Sequence, residues 1–217
     1  MFELALKSLL SYLLGSIVGA LLVGRLRGVD IREQGSGNAG GTNALRTQGF
    51  GFALAVVVID VGKALVAVAW LPGLALPGVG LDPAVDRPWL AVACATAVVA
   101  GHVWPLYHDF RGGKGAATLI GADAVLQPLA LLPVIGLWLA VVMLTGFVGL
   151  ATLLAAASLP LVFLWSGGPA TAPLVAFAVL MAAFIAWTHR ENIARMRAGN
   201  ENRARRLWLL RPRDGQR

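Results

Sequence analysis

Between Asp123 and Arg190 the chain carries no Asp, Glu, Lys or Arg at all. A soluble domain cannot cover itself with so long an uncharged stretch, because its surface needs charge to stay in water. The lipid bilayer is the solvent that accepts it, and there the backbone must satisfy its own hydrogen bonds as helices or as a closed barrel. Composition agrees: 58% of residues are hydrophobic and 13% charged, against about 45–50% and about 25% in soluble proteins.

Five apolar stretches, 4–24, 51–71, 89–107, 146–166 and 171–188, approach the ~20 residues that carry a helix across ~30 Å of hydrocarbon. A sixth, 116–144, contains Asp123 and Pro128 and is too long for one ordinary crossing. The first stretch is preceded by Lys7 alone and followed by Arg25, Arg27, Arg32 and Arg46. It reads as a retained span rather than a leader, with residue 25 onward in the cytoplasm and the N-terminus outside. Loop 72–88 carries Asp82 and Asp86 against Arg87 and is expected outside. Loop 108–115, with Arg111 and Lys114 against Asp109, is expected inside, as is the tail 189–217 with nine arginines. To connect two inside segments the chain must cross an even number of times. Residues 116–144 are therefore expected to form two short helices around Pro128. The expectation is an all-α polytopic membrane protein of seven transmembrane helices, with a cytoplasmic C-terminus and a single integral-membrane domain over 1–217.

The net charge of +7 thus serves topology and does not point to a nucleic-acid partner. The one cysteine, Cys94, lies in an apolar run; it can make no intramolecular disulfide and no cysteine-based metal site.

Three polar segments interrupt the apolar background, all on the expected cytoplasmic side. The first, Gly35-Ser36-Gly37-Asn38-Ala39-Gly40-Gly41-Thr42-Asn43 with Arg46 beyond, offers backbone N–H groups, side-chain donors and a cation to an anion such as phosphate. A flexible turn between helices would use the same residues. The second runs Gly101-His102-Val103-Trp104-Pro105 and then Arg111-Gly112-Gly113-Lys114-Gly115. A glycine-rich loop with a lysine at a helix start suits a second anion, whereas an anchor at lipid headgroups would need the same cations. It is no Walker A loop, since Gly115 stands where Ser or Thr is required. The third, His189-Arg190-Glu191-Asn192-Ile193-Ala194-Arg195 followed by Gly199 and Glu201, places His189, Asn192 and Arg195 on one face if the last span continues as helix. Asp60 and Lys63, three apart within an apolar stretch, can pair on one helical face. Asp123 has no assigned role.

Taken together, the three segments resemble the bacterial acyl-phosphate:glycerol-3-phosphate acyltransferase family. The pattern Ser-Gly-Asn-x-Gly-x-Thr-Asn falls at 36–43, Gly-His-x-x-Pro with Gly-Gly-Lys-Gly at 101–105 and 112–115, and His-Arg-x-Asn-Ile-x-Arg with Gly-x-Glu at 189–195 and 199–201. Ala39, Gly41, Ala64 and Arg111 depart from common choices, and none removes a donor or a charge. The resemblance implies seven transmembrane helices in the bacterial inner membrane and a site facing the cytoplasm. It implies transfer of an acyl group from acyl phosphate to sn-glycerol 3-phosphate, giving 1-acyl-glycerol 3-phosphate and phosphate, with membrane lipid around it and no metal or organic cofactor.

On that basis Ser36, Gly37, Asn38, Gly40, Thr42, Asn43 and Arg46 are expected to hold acyl phosphate. Lys114, with Gly112, Gly113, His189, Arg190, Asn192, Arg195 and Lys63, is expected to take glycerol 3-phosphate. Lys114, His189, Asn192 and Arg46 are the candidate catalytic groups, and Gly101, His102, Pro105, Gly199 and Glu201 are expected to be structural, Glu201 by bracing an arginine. The chain has no His-x-x-x-x-Asp, no Gly-x-Ser-x-Gly and no Cys–His nucleophile pair. Direct attack by the glycerol hydroxyl, the donor's phosphate taking the proton, is the mechanism this favours. A small-anion transporter or channel would instead spread polar residues near mid-membrane and carry internal repeats; a non-catalytic lipid-binding scaffold would leave the Ser, Thr and Asn clusters without a purpose.

Overall fold

The computed structural model describes residues 1–167, 171–205 and 207–210. Ten α-helices occur among them: α1 Phe2–Gly15, α2 Gly19–Arg27, α3 Gly41–Gln48, α4 Phe50–Ala69, α5 Arg87–Val103, α6 Ala116–Leu126, α7 Leu131–Thr145, α8 Val148–Ser166, α9 Thr171–Thr188 and α10 Arg190–Arg197. Among the described residues, six segments are long and apolar enough to cross a membrane: Phe2–Arg27, Phe50–Gly73, Arg87–His108, Pro128–Thr145, Val148–Ser166 and Thr171–Thr188. Helix α6 is apolar but has only 11 residues, about 16 Å at 1.5 Å per residue.

The region around Pro128 folds as two helices, but not two equal short ones. Gln127 leaves the helical conformation, as the residue before a proline tends to. A helical turn over Pro128–Ala130 then feeds α7, and with that turn α7 reaches full spanning length. The first apolar stretch also differs from expectation. It is not one helix: α1 stops at Gly15 and α2 begins at Gly19, with Val18 extended between them.

Small residues set how closely these helices pack. Ala64, Ala67, Ala95, Ala122, Ala155, Ala156 and Ala178 are buried in one cluster with Val98, Val99, Phe163, Phe177 and Met181. In lipid, where apolar side chains gain little by leaving their surroundings, such close approach supplies much of the association. A Cβ on Gly15 would fall on the Val98 carbonyl, and one on Gly101 on the Tyr12 carbonyl, so these two glycines let α1 and α5 touch backbone to backbone. Leu132, Leu161, Leu164, Val58 and Val179 are exposed on the outside, as a lipid-facing surface requires.

One end of the bundle is fastened by charge. The Met1 amine meets Asp82 at 2.7 Å. Buried Glu3 accepts from Lys7 at 2.8 Å and from Arg87 at 2.7 and 2.9 Å. The N-terminus, the segment after α4 and the start of α5 therefore share one end, and the C-terminal end of α5 leads away from it to the polar segments.

Candidate active site

The first polar segment folds around Asn43. Its amide donates to the carbonyls of Ile31 and Gln34 at 3.2 and 2.9 Å, and its oxygen accepts from the Ser36 N–H at 3.0 Å. Asp30 grips Arg32 through three contacts of 2.7–3.1 Å. Arg32 in turn donates to the carbonyls of His108 and Arg111 at 3.3 and 3.4 Å, tying the first segment to the second. The second is folded back on α5: Gly112 and Gly113 donate to the carbonyls of Val103 and His102 at 3.2 and 3.1 Å. Both positions exclude a side chain, since a Cβ on Gly112 would strike the His102 carbonyl and one on Gly113 the His102 ring.

These two segments and the junction of α9 with α10 form a cleft of about 330 Å3. Ser36, Gly37 and Asn38 form one wall, Arg111, Gly112, Gly113 and Lys114 a second, and Trp187, Thr188, Arg190 and Glu191 a third, with Val103, Trp104 and Phe110 completing it. A polar relay runs along the third wall. Lys114 donates to the Asn192 oxygen, Asn192 donates to Glu201 at 2.8 Å, and Arg195 holds the other Glu201 oxygen at 2.7 Å. Thr188 pins the Lys114 carbonyl at 3.0 Å. Burial, and after it the charge of Arg195, pulls the Lys114 ammonium below the ordinary lysine pKa. Trp104, Phe184 and Trp187 form an aromatic cluster with ring centres 5.3–6.0 Å apart. The Arg190 guanidinium lies 4.5 Å from the Trp187 ring centre, a cation–π contact at the mouth.

His189 stands at the joint between α9 and α10 and is buried. Its Nδ1 lies 2.9 Å from the Ile185 carbonyl. A carbonyl only accepts, so Nδ1 carries the hydrogen and Nε2 is left as an acceptor. Burial first, and the Lys114 charge second, hold the ring down to about 4, so it is neutral at pH 7.

Behind the cleft lies a second network. Lys63 donates to the carbonyls of Gly15 and Ile17 at 2.9 and 2.8 Å, both freed by the break between α1 and α2. Asp60 accepts the first N–H of α2, from Gly19, at 3.0 Å and pairs with Lys63 at 3.1 Å. His102 Nδ1 is 2.8 Å from Lys63 Nζ and 3.3 Å from Asp60.

The three polar segments thus share one cleft, but not every candidate residue lines it. Thr42 and Arg46 lie on the exposed face of α3, and Lys63 is committed to the helix break. The backbone N–H groups assigned to an anion are mostly engaged elsewhere: Ser36 to Asn43, Gly37 to Gln34, Gly112 and Gly113 to α5. The donors left for a ligand in this cleft are chiefly side chains. Gly40 leaves room for the Asn38 amide. Pro105 is buried, its carbonyl accepting from His108 and Phe110 at 3.2 and 3.0 Å. Gly199, at φ 72°, ends α10. Asp30 and Arg32, for which the Asp-x-Arg spacing was the signal, and Trp187 and Thr188, which resemble the ordinary end of a span, join the candidate residues here.

Residues 5–199 match the family model described as glycerol-3-phosphate acyltransferase. The glycerol-3-phosphate acyltransferase of a Synechococcus species is 40% identical over 89% of this chain and 92% of its own length. That of Thermosynechococcus vestitus is 41% identical over 92% and 94%. Among solved structures, PlsY (YgiH), an integral membrane glycerol 3-phosphate acyltransferase, in its glycerol 3-phosphate form superposes with a TM-score of 0.78 at 33% identity, covering 92% of this chain and 94% of that one. Its lysophosphatidic acid form gives 0.76 at 32% identity, with the same coverage.

Proposed function

From the premise that this chain belongs to the glycerol-3-phosphate acyltransferase family, we propose that its cleft seats glycerol 3-phosphate and an acyl phosphate side by side and passes the acyl group between them. One observation carries the reading: Lys114, Arg111 and Arg190 converge on a cleft whose opposite wall carries Ser36 and Asn38. Two phosphorylated molecules need that density of cations and donors.

Ser36, Asn38 and Arg111 hold the donor phosphate, and Asn43, engaged within its own loop, keeps that wall in shape. Arg190 and Lys114 take the phosphate of glycerol 3-phosphate, and the Asn192–Glu201–Arg195 relay fixes where the Lys114 ammonium points. The glycerol hydroxyl attacks the acyl carbon, the bond from that carbon to the phosphate oxygen breaks, and the departing phosphate takes the hydroxyl proton. Acyl phosphate is a mixed anhydride with a good leaving group, so positioning and charge stabilisation supply the rate. His189, with Nε2 free to accept, orients the hydroxyl.

The chain forms a single integral-membrane domain of seven crossings in the bacterial inner membrane, with the cleft at the cytoplasmic face. Arg25, Arg27, Arg32 and Arg46 lie on the cleft side, while Asp82 and Asp86 lie at the fastened end, which suits the positive-inside rule. Helix α6, at 11 residues, makes the seventh crossing together with the glycine-rich segment before it, which sets the cleft floor below the headgroups. The purified protein in detergent, given palmitoyl phosphate, is expected to release phosphate in proportion to added glycerol 3-phosphate and to form lysophosphatidic acid. Substituting palmitoyl-CoA is expected to abolish product, and equal product from both donors overturns the acyl phosphate assignment.

A further inference from the structure

Directly below the cleft an apolar cavity of about 250 Å3 opens between α6, α7, α8 and α9, lined by Leu119, Val134, Trp138, Ala155, Leu159 and others of that kind. Its upper end, at Ala116 and Ile185, adjoins Lys114 and Thr188 of the cleft. One charged residue type stands in its wall. Asp123 is 2% exposed, and its Oδ1 has no hydrogen-bond partner. Native interiors seldom leave a buried polar atom unpaired, and such an atom calls for a reason. The neighbouring polar side chains do not supply one: Trp138 donates to Thr152 at 3.1 Å, and Thr152 donates to the Val148 carbonyl at 2.9 Å.

Resting on the acyl-transfer reading above, we infer that this cavity receives the donor's acyl tail and that Asp123 selects tails carrying a hydroxyl near mid-chain. Asp123 lies seven residues beyond Ala116 on α6, about 10 Å deeper at 1.5 Å per residue, so the reacting carbonyl is out of its reach and the middle of a long tail is within it. The unpartnered Asp123 oxygen accepts a hydrogen bond, and a hydroxyl on the tail supplies one. A plain hydrocarbon tail supplies none and leaves that oxygen buried without a partner.

The test compares three donors with the full-length protein in detergent: palmitoyl phosphate, palmitoyl phosphate hydroxylated near mid-chain, and palmitoyl phosphate hydroxylated beside the carbonyl. The mid-chain hydroxyl is expected to raise kcat/KM by roughly five- to tenfold over the plain tail, and the hydroxyl beside the carbonyl to give no gain. Asp123→Leu is expected to reverse the order, improving the plain tail severalfold and losing the mid-chain preference, while Asp123→Asn, which still donates and accepts, keeps it. Equal kcat/KM for plain and mid-chain donors in the unsubstituted protein overturns the inference, whether or not Asp123→Leu folds. Failure with all three donors would instead sink the acyl-transfer reading itself.

Discussion

At the scale of single residues the proposed site turns on Lys114 and His189. Lys114→Met keeps most of the length of the side chain but removes its charge and its bond to Asn192. Turnover is expected to fall on the order of a thousandfold, with the thermal unfolding midpoint in detergent close to that of the parent; near-normal phosphate release would remove Lys114 from the reaction. Both groups also set pH limits. Because the Lys114 pKa is lowered, activity is expected to decline on the alkaline side below 10.5, its ordinary value. His189 titrates at about 4 when folded against 6.5 when free. Between those values the unfolded chain binds the proton and the folded chain does not, so stability is full above 6.5 and falls as the pH drops toward 4. The slope from this one group is about 1.4 kcal/mol per pH unit, and unfolding midpoints measured across that interval check it in His189→Gln, which should lose the slope. Lys114 and the His189 segment were legible as candidates because each sits in a motif. The true partner of Asn43 could not: nothing local shows that its amide is consumed by Ile31 and Gln34.

At the scale of elements, the helices were visible wherever composition alone decides them, as for α4, α5, α8 and α9. The interruption after Gly15 was not. It has no proline and no polar run, and its cause is a lysine 46 residues further on that bonds the Ile17 carbonyl. Lys63→Met removes that cation and leaves Asp60 and two carbonyls buried without it, a change expected to cost about 3–5 kcal/mol and to appear as a lowered unfolding midpoint. The contact of α1 with α5 makes a second prediction. Gly101→Leu would drive a side chain into the Tyr12 carbonyl, and the protein is expected to lose several kcal/mol or fail to accumulate; a normal yield and midpoint would show that α1 can move away.

For the molecule as a whole, the all-helical, membrane-spanning class was legible in the apolar segments, while the shortness of α6 was not, because only the folded backbone shows where that helix starts and stops. The proposed orientation can be tested with existing chemistry. Cys94 is buried, so it adds little background to thiol labelling. Gly80→Cys, beyond the fastened end, is expected to react with a membrane-impermeant maleimide in intact spheroplasts, and Gly199→Cys only after they are broken. The opposite pattern would invert the protein.

The break between α1 and α2 has a consequence for how the chain is made. The ribosome delivers α1 and α2 before α4, with carbonyls at Gly15 and Ile17 and an amide at Gly19 that have no mate until Lys63 and Asp60 follow. Such groups are poorly tolerated in lipid. The newborn segment must therefore wait, sheltered by the insertion machinery or by water, until α4 emerges beside it, and chains halted before residue 63 should remain there unreleased.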